Sequence, residues 1–218
     1  MTNLAKRKKA ELRFRFYGIF SVFLSLLFVA ILIFNICSSG IGGFYKTIFL
    51  TSIHFDQKLL NLEDNASEEQ IRNASFRKLI KNSFDESFKD YSKDEIKQIK
   101  KLFYRKIDIE LKNFLINNPE FLNKTTKVEL TASTHIDQIH KGNFDRTVQE
   151  KHRKVNNFQL EIYDKFVEDQ KVKKVWNSTY FTSGDSRDPE SAGVASSVIG
   201  SVFTILICFL LSFPIAIF

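Results

Sequence analysis

Two stretches of this sequence carry no charged side chain, and they decide what the chain can be. From Phe16 to Ser39, and again from Ser191 to Phe218, there is no Asp, Glu, Lys or Arg. The residues between are polar, lysine-rich and mixed in sign. The first apolar run, Phe16 to Cys37, is about 22 residues, roughly 33 Å as a helix and enough to cross a hydrocarbon core of about 30 Å. The second, Ala192 to Phe218, is longer than one span needs and leaves room for tilt or an interfacial turn. A signal peptide's apolar core is shorter, about 7–15 residues, and ends at a small-x-small site. Ser38-Ser39-Gly40 offers small residues, but the run before it is too long, so it reads as an uncleaved anchor.

Charge sets the orientation. Residues 1–15 hold Lys6, Arg7, Lys8, Lys9, Arg13 and Arg15 against Glu11 alone, which gives +5 of the chain's net +7. Positive charge beside a span stays cytoplasmic, so the N-terminus is expected inside and the segment after the first span outside. Next to such a span, Lys6-Arg7-Lys8-Lys9 reads as a topology signal that also touches anionic membrane lipid, and nucleic acid is not an expected partner. The expected organisation is a basic cytoplasmic tail at 1–15, a transmembrane helix at 16–38, an extracytoplasmic domain at 39–188 and a second membrane segment at 189–218. Both cysteines, Cys37 and Cys208, fall in the apolar runs, so no disulfide staples the exported domain, which is long enough to bury a core without one.

Periodicity predicts the domain's elements. Ser38 to Gly43 reads as a flexible exit. In Thr47–Phe55, Phe49, Ile53 and Phe55 share one side with Thr51, which predicts a strand. Ser67 with Gln70, and Ser92 with Glu95, form capping boxes that open helices, the second running through Ile96, Ile99 and Phe103. Phe76, Ile80, Phe84 and Phe88 recur every four residues as a helical stripe. A helix through Ile107, Leu111, Phe114 and Leu115 should stop before Asn118-Pro119. Lys127–Thr131 reads as a short strand, His135–His140 as a helical turn ended by Gly142, and Phe158, Ile162, Phe166 and Val167 as another amphipathic helix. Val172–Phe181 is the last predicted strand. The fold class is therefore a membrane protein, with two transmembrane α-helices flanking an α+β extracytoplasmic domain in which a small sheet is covered on one face by several amphipathic helices.

No catalytic constellation accompanies this architecture. His135 and His140 lie five apart and on different helix faces, whereas zinc sites favour four apart, so no metal is expected. There is no phosphate loop, no Gly-x-Ser-x-Gly and no His-Glu-x-x-His, and no cofactor is implied. Glu68-Glu69 and Asp94-Glu95 fall in first helical turns, where they complement the helix dipole. The sequons at Asn65, Asn73, Asn123 and Asn177 are what an asparagine-rich, AT-biased bacterial composition produces by chance. The chain is expected not to be an enzyme.

The second apolar segment is more specific. Gly193, Ser196, Ser197, Gly200 and Ser201 give small-x-x-x-small spacings that let helices approach closely in a bilayer, and these are the expected helix-packing residues. Asp188-Pro189-Glu190 is expected to open that helix, as N-cap, first-turn proline and acidic residue at the positive dipole end.

Phe181-Thr182-Ser183-Gly184-Asp185-Ser186-Arg187-Asp188-Pro189-Glu190, followed by Ala192-Gly193, resembles the linker into the permease core of phosphate ABC transporter permease subunits of the PstA type. The variant it looks like has a large extra domain after the first membrane helix. Ser197–Ile205 and Ser212–Ala216 are similar to the opening of that core, and Lys8–Gly18 to the family's start. The resemblance implies the N-terminal portion of an inner-membrane permease subunit of an ATP-driven phosphate importer. Its implied partners are a second permease subunit, ATP-binding subunits that hydrolyse the ATP, and a periplasmic phosphate-binding protein. Asp185, Arg187 and Asp188 are the candidate partner contacts. The family continues into further membrane helices and a cytoplasmic coupling loop, so the sequence reads as a fragment, and none of the family's transport residues is carried over. The domain's near-neutral charge argues against strong electrostatic capture of free phosphate, and a protein-contact role is the expectation for it. The alternative is a two-helix receptor or sensor with an exported ligand-binding domain.

Overall fold

The computed structural model describes residues 2–63 and 66–217, and the side chains of all of these except 2–6 and 39. The Asn65 sequon begins outside that range. The chain divides into two compact units, 1–44 and 45–218.

The first unit is one long helix, α1 (Thr2–Gly40), closed by a 3-10 turn at Ile41–Phe44. The expected flexible exit at 38–43 is corrected: the helix runs on through Ser38, Ser39 and Gly40 before tightening. No proline interrupts 38–43, and a helix already built propagates at little further cost. None of the helix's most apolar stretch is buried, and it is long and apolar enough to cross a membrane.

The second unit is α+β. Strands β1 (Tyr45–His54), β2 (Thr125–Thr131) and β3 (Val172–Trp176) form an antiparallel sheet in the order β2-β1-β3. Phe49 faces Leu130 on one side and Val172 on the other, while Tyr45 faces Trp176. Between β1 and β2 come α2 (Gln57–Leu60), α3 (Glu68–Asn73), α4 (Arg77–Ser87), α5 (Lys93–Lys100) and α6 (Ile107–Asn117). After β2 come α7 (Thr134–His140) and α8 (Asn157–Glu168), and after β3 come α9 (Ser178–Thr182) and α10 (Ala195–Ile217).

The capping boxes at Ser67/Gln70 and Ser92/Glu95 are both formed, and a third, Asn156/Gln159, opens α8. The sheet's covered face carries Phe49, Ile53 and Phe55, all buried as the alternation predicts. Phenylalanine dominates what covers it. The Phe49 ring lies 4.7 Å from Phe103 and 5.0 Å from Phe166, and Phe84 packs edge-on to Phe103 at 5.1 Å. A second group stacks Phe55 on Phe114 at 5.6 Å, with Phe121 beyond.

Three boundaries differ from the sequence reading by more than two residues. Phe103 is outside α5, because the chain at 102–104 bonds to the end of β2 instead. The Tyr104 amide donates to the Thr131 carbonyl, the Ser133 amide donates to the Leu102 carbonyl, and Phe103 bridges Ala132. The strand expected over 172–181 ends at Trp176, since Tyr45 opposite it is the first residue of β1 and, among the described residues, no partner strand lies beyond. Without one, Ser178–Thr182 turn into α9. Finally, Asp188-Pro189-Glu190 does not open the second apolar helix: it forms a separate 3-10 turn at Pro189–Ser191, and α10 begins at Ala195.

Candidate functional site: a closed loop and a basic groove

The segment joining the domain to α10 is a closed loop. At its base the Gly193 amide donates to the Gly184 carbonyl (2.9 Å), the Val194 amide to the Tyr180 carbonyl (2.8 Å) and the Ala195 amide to the Ser183 carbonyl (3.1 Å). Inside it, the Ser186 hydroxyl accepts from the Asp188 amide at 3.2 Å and shares a hydrogen bond with the Ser191 hydroxyl at 2.8 Å. Compact loops with adjoining ends of this kind behave as units.

Two carboxylates dock the loop on the domain. Asp188 pairs with Arg105 (2.8 Å) and Lys106 (2.6 Å), both between α5 and α6, and its side chain is only 15% exposed. Hydrogen bonding from Lys106, with the charges of Lys106 and Arg105 behind it, holds the Asp188 carboxyl below the usual aspartate range, and Asp188 in turn pushes Lys106 up. Glu190 accepts from both the amide and the hydroxyl of Thr134, each at 2.7 Å. Thr134 is the first residue of α7, whose N-cap Ser133 makes no side-chain cap, so Glu190 supplies the capping acceptor in its place.

Glycine at 193 is required by space. A Cβ there would lie 2.4 Å from the Ser183 carbonyl oxygen, 2.7 Å from that of Thr179 and 2.8 Å from that of Tyr180. The small residue thus serves close approach to α9, and Gly193 is corrected from a position within the helix-packing stripe to one that precedes the helix. Ser196, Ser197, Gly200 and Ser201 do lie on α10 and are exposed. The Ser201 hydroxyl donates to the Ser197 carbonyl and that of Thr204 to the Gly200 carbonyl, so both are satisfied within the helix.

Beside the docked loop runs an open groove of about 930 Å³. Arg77 and Lys81 from α4, Lys100 and Lys101 at the end of α5, and Arg105 and Lys106 beyond it line the groove, against the carboxylates Asp108 and Glu190. Lys100 sits 5.3 Å above the Phe84 ring, and burial lowers its pKa. The domain's near-neutral sum conceals this concentration, so the local field is attractive to anions where the average is not.

Of the candidate partner contacts, Asp185 and Arg187 are exposed on the loop, whereas Asp188 is turned inward onto Arg105 and Lys106. Sequence reasoning did not find Arg105, Lys106 or Thr134. Paired cations are common in a lysine-rich chain, and nothing in their spacing marks the 83 residues that separate Arg105 from its partner. Among the described residues no group of three His, Cys, Asp or Glu could hold a metal ion.

A family model described as Domain of unknown function (DUF3333) matches residues 1–150. No curated protein and no solved structure matches the chain.

Proposed function

We propose a role for a chain that belongs to the DUF3333 family: it contributes part of a permease subunit of an ATP-driven phosphate importer in a bacterial inner membrane. One observation carries the membrane half of this reading. α10 buries none of its most apolar stretch in the chain's own fold, while its first residues are fixed to the domain by the loop base. A surface of that size and character needs a covering solvent, and lipid is one that matches its length. α1 has the same character, and its basic flank supports a cytoplasmic N-terminus and an exported domain.

The channel half rests on residues 181–193 and on the stripe Ser196, Ser197, Gly200 and Ser201, which offers α10 to other helices of a bundle. In this reading the docked loop joins the exported domain to a channel helix, so a protein seated on the domain can bias that helix. A periplasmic phosphate-binding protein, a second permease subunit and ATP-binding subunits are the proposed partners. Docking of an exported domain on a membrane helix also suits a two-helix receptor.

Affinity purification from detergent-solubilised membranes of the native host separates the two. The permease reading expects co-purification with an ATP-hydrolysing subunit and a second multi-span subunit, and loss of phosphate uptake when the gene is deleted. Recovery with a cytoplasmic signalling protein, and uptake unchanged, would overturn it in favour of the receptor.

A further inference from the structure

The aromatic side chains at the α10 end of the sheet stand out from the rest of the domain. Elsewhere in the domain most phenylalanines are drawn into the core, with Phe144 exposed by itself, but here Trp176 is 54% exposed, Phe181 44% and Tyr45 37%, and they cluster. They are held as a rigid group. Phe181 stacks on Trp176 with centroids 5.4 Å apart and planes 6° from parallel, and Tyr45 meets the same indole edge-on at 5.7 Å. Tyr180 packs edge-on to Phe181 at 5.2 Å. Lys174 reaches to 5.2 Å from the Tyr45 ring, and Lys173 beside it is exposed.

The level of this group is fixed relative to α10. The Val194 amide bonds to the Tyr180 carbonyl at 2.8 Å, one residue before the helix begins. The segment that carries Tyr180 and Phe181 is therefore tied to the start of a helix none of whose most apolar stretch is buried. Tryptophan and tyrosine carry an apolar body and a polar tip, and they concentrate at the boundary between hydrocarbon and water. Lysines at the same level can reach lipid phosphates.

We propose that Tyr45, Trp176, Tyr180 and Phe181 form an interfacial belt that seats the domain in the lipid headgroup layer around the start of α10. The inference rests on the membrane reading above and adds a second lipid contact, made by the domain itself. The belt fixes the depth of α10 and, through β1 and β3, the tilt of the sheet against the bilayer.

Trp176 is the chain's only tryptophan, so its emission reports on the belt directly. The full chain is reconstituted in phosphatidylcholine–phosphatidylglycerol vesicles containing lipids brominated either near the carbonyl or near the chain end, and vesicle association is checked by flotation. The belt expects shallow bromines to quench at least twofold more than deep ones. In a Trp176→Phe, His54→Trp variant, the tryptophan moves nine residues along β1, roughly 30 Å away, and should escape both. If the chain floats with the vesicles but Trp176 emission is unquenched, the belt is wrong and the membrane reading stands. The belt is equally wrong if the tryptophan at position 54 is quenched as strongly. A chain that does not float overturns both.

Discussion

Gly193→Ala separates space from backbone strain at the loop base. The glycine does not adopt a positive φ, so alanine can take its backbone conformation, and only the added methyl acts. That methyl would sit 2.4, 2.7 and 2.8 Å from three carbonyl oxygens of the α9 segment, all main chain, so no rotamer change relieves it. Residues 192–195 must move off α9, and the bonds from the amides of Gly193, Val194 and Ala195 are what they give up. The strain is either kept as overpacking by a methyl, about 1–3 kcal/mol, or relieved by giving up these bonds at about 1 kcal/mol net each, so the loop base should lose roughly 1–3 kcal/mol. Hydrogen exchange of these amides in the detergent-purified chain should then accelerate roughly ten- to a hundredfold, while β1 amides around Phe49 keep their protection. Unchanged exchange at 193–195 would refute the claim that the close approach holds the loop shut. Equal acceleration in β1 would refute the claim that the loop opens apart from the core.

Asp188→Asn should lower the melting temperature at neutral pH and detach the loop from Arg105 and Lys106. Because the folded Asp188 titrates below the ordinary 3.8, its contribution is complete above that value and disappears as pH falls through the lower folded one. The gap between wild type and variant in thermal melts should close in that acid window and nowhere above it. Glu110 works with the opposite sign. Burial raises its pKa despite the hydrogen bond it accepts from the Thr131 amide, so stability falls as pH rises from 4.5 through the folded value. Glu110→Gln, which keeps an acceptor for Thr131, should flatten that slope in melts taken across the window and match or exceed wild type at neutral pH. Leu111→Ala, fully buried beneath the sheet, should reduce stability by about 2–5 kcal/mol in denaturant titration.

Much of the domain was legible because its elements are set locally. Ser67 and Ser92 each find their capping partner three residues on, and the stripe Phe76, Ile80, Phe84 and Phe88 needs only helical geometry to share a face. What sequence reasoning missed depends on residues far apart in the chain. Val172–Phe181 has uniform strand composition, yet its strand stops where β1 stops, which is a property of Tyr45 and of register. Asp188 has the local grammar of a helix cap, but an ion pair with Arg105 and Lys106 draws its carboxylate elsewhere, and a charge pair outbids a cap when the donors are already aligned. Gly193 is small because of the carbonyls it approaches, and these belong to α9, a helix the sequence reads as strand, so its spacing in the apolar segment points to helix packing instead. The basic groove was hidden by averaging: its six cations come from three segments, and their excess vanishes in the sum over the domain.

The account turns on whether α1 and α10 lie in lipid with the loop outside. Cysteine labelling in spheroplasts, on a Cys37→Ala, Cys208→Ala background, addresses this most directly. With Asp185→Cys on the exposed loop, an impermeant maleimide should label intact spheroplasts, and the chain should stay in the membrane pellet after alkaline washing. Lys9→Cys in the basic tail should be labelled only after lysis. Release of the chain by the wash, or labelling of Lys9→Cys but not Asp185→Cys in intact spheroplasts, would contradict the account.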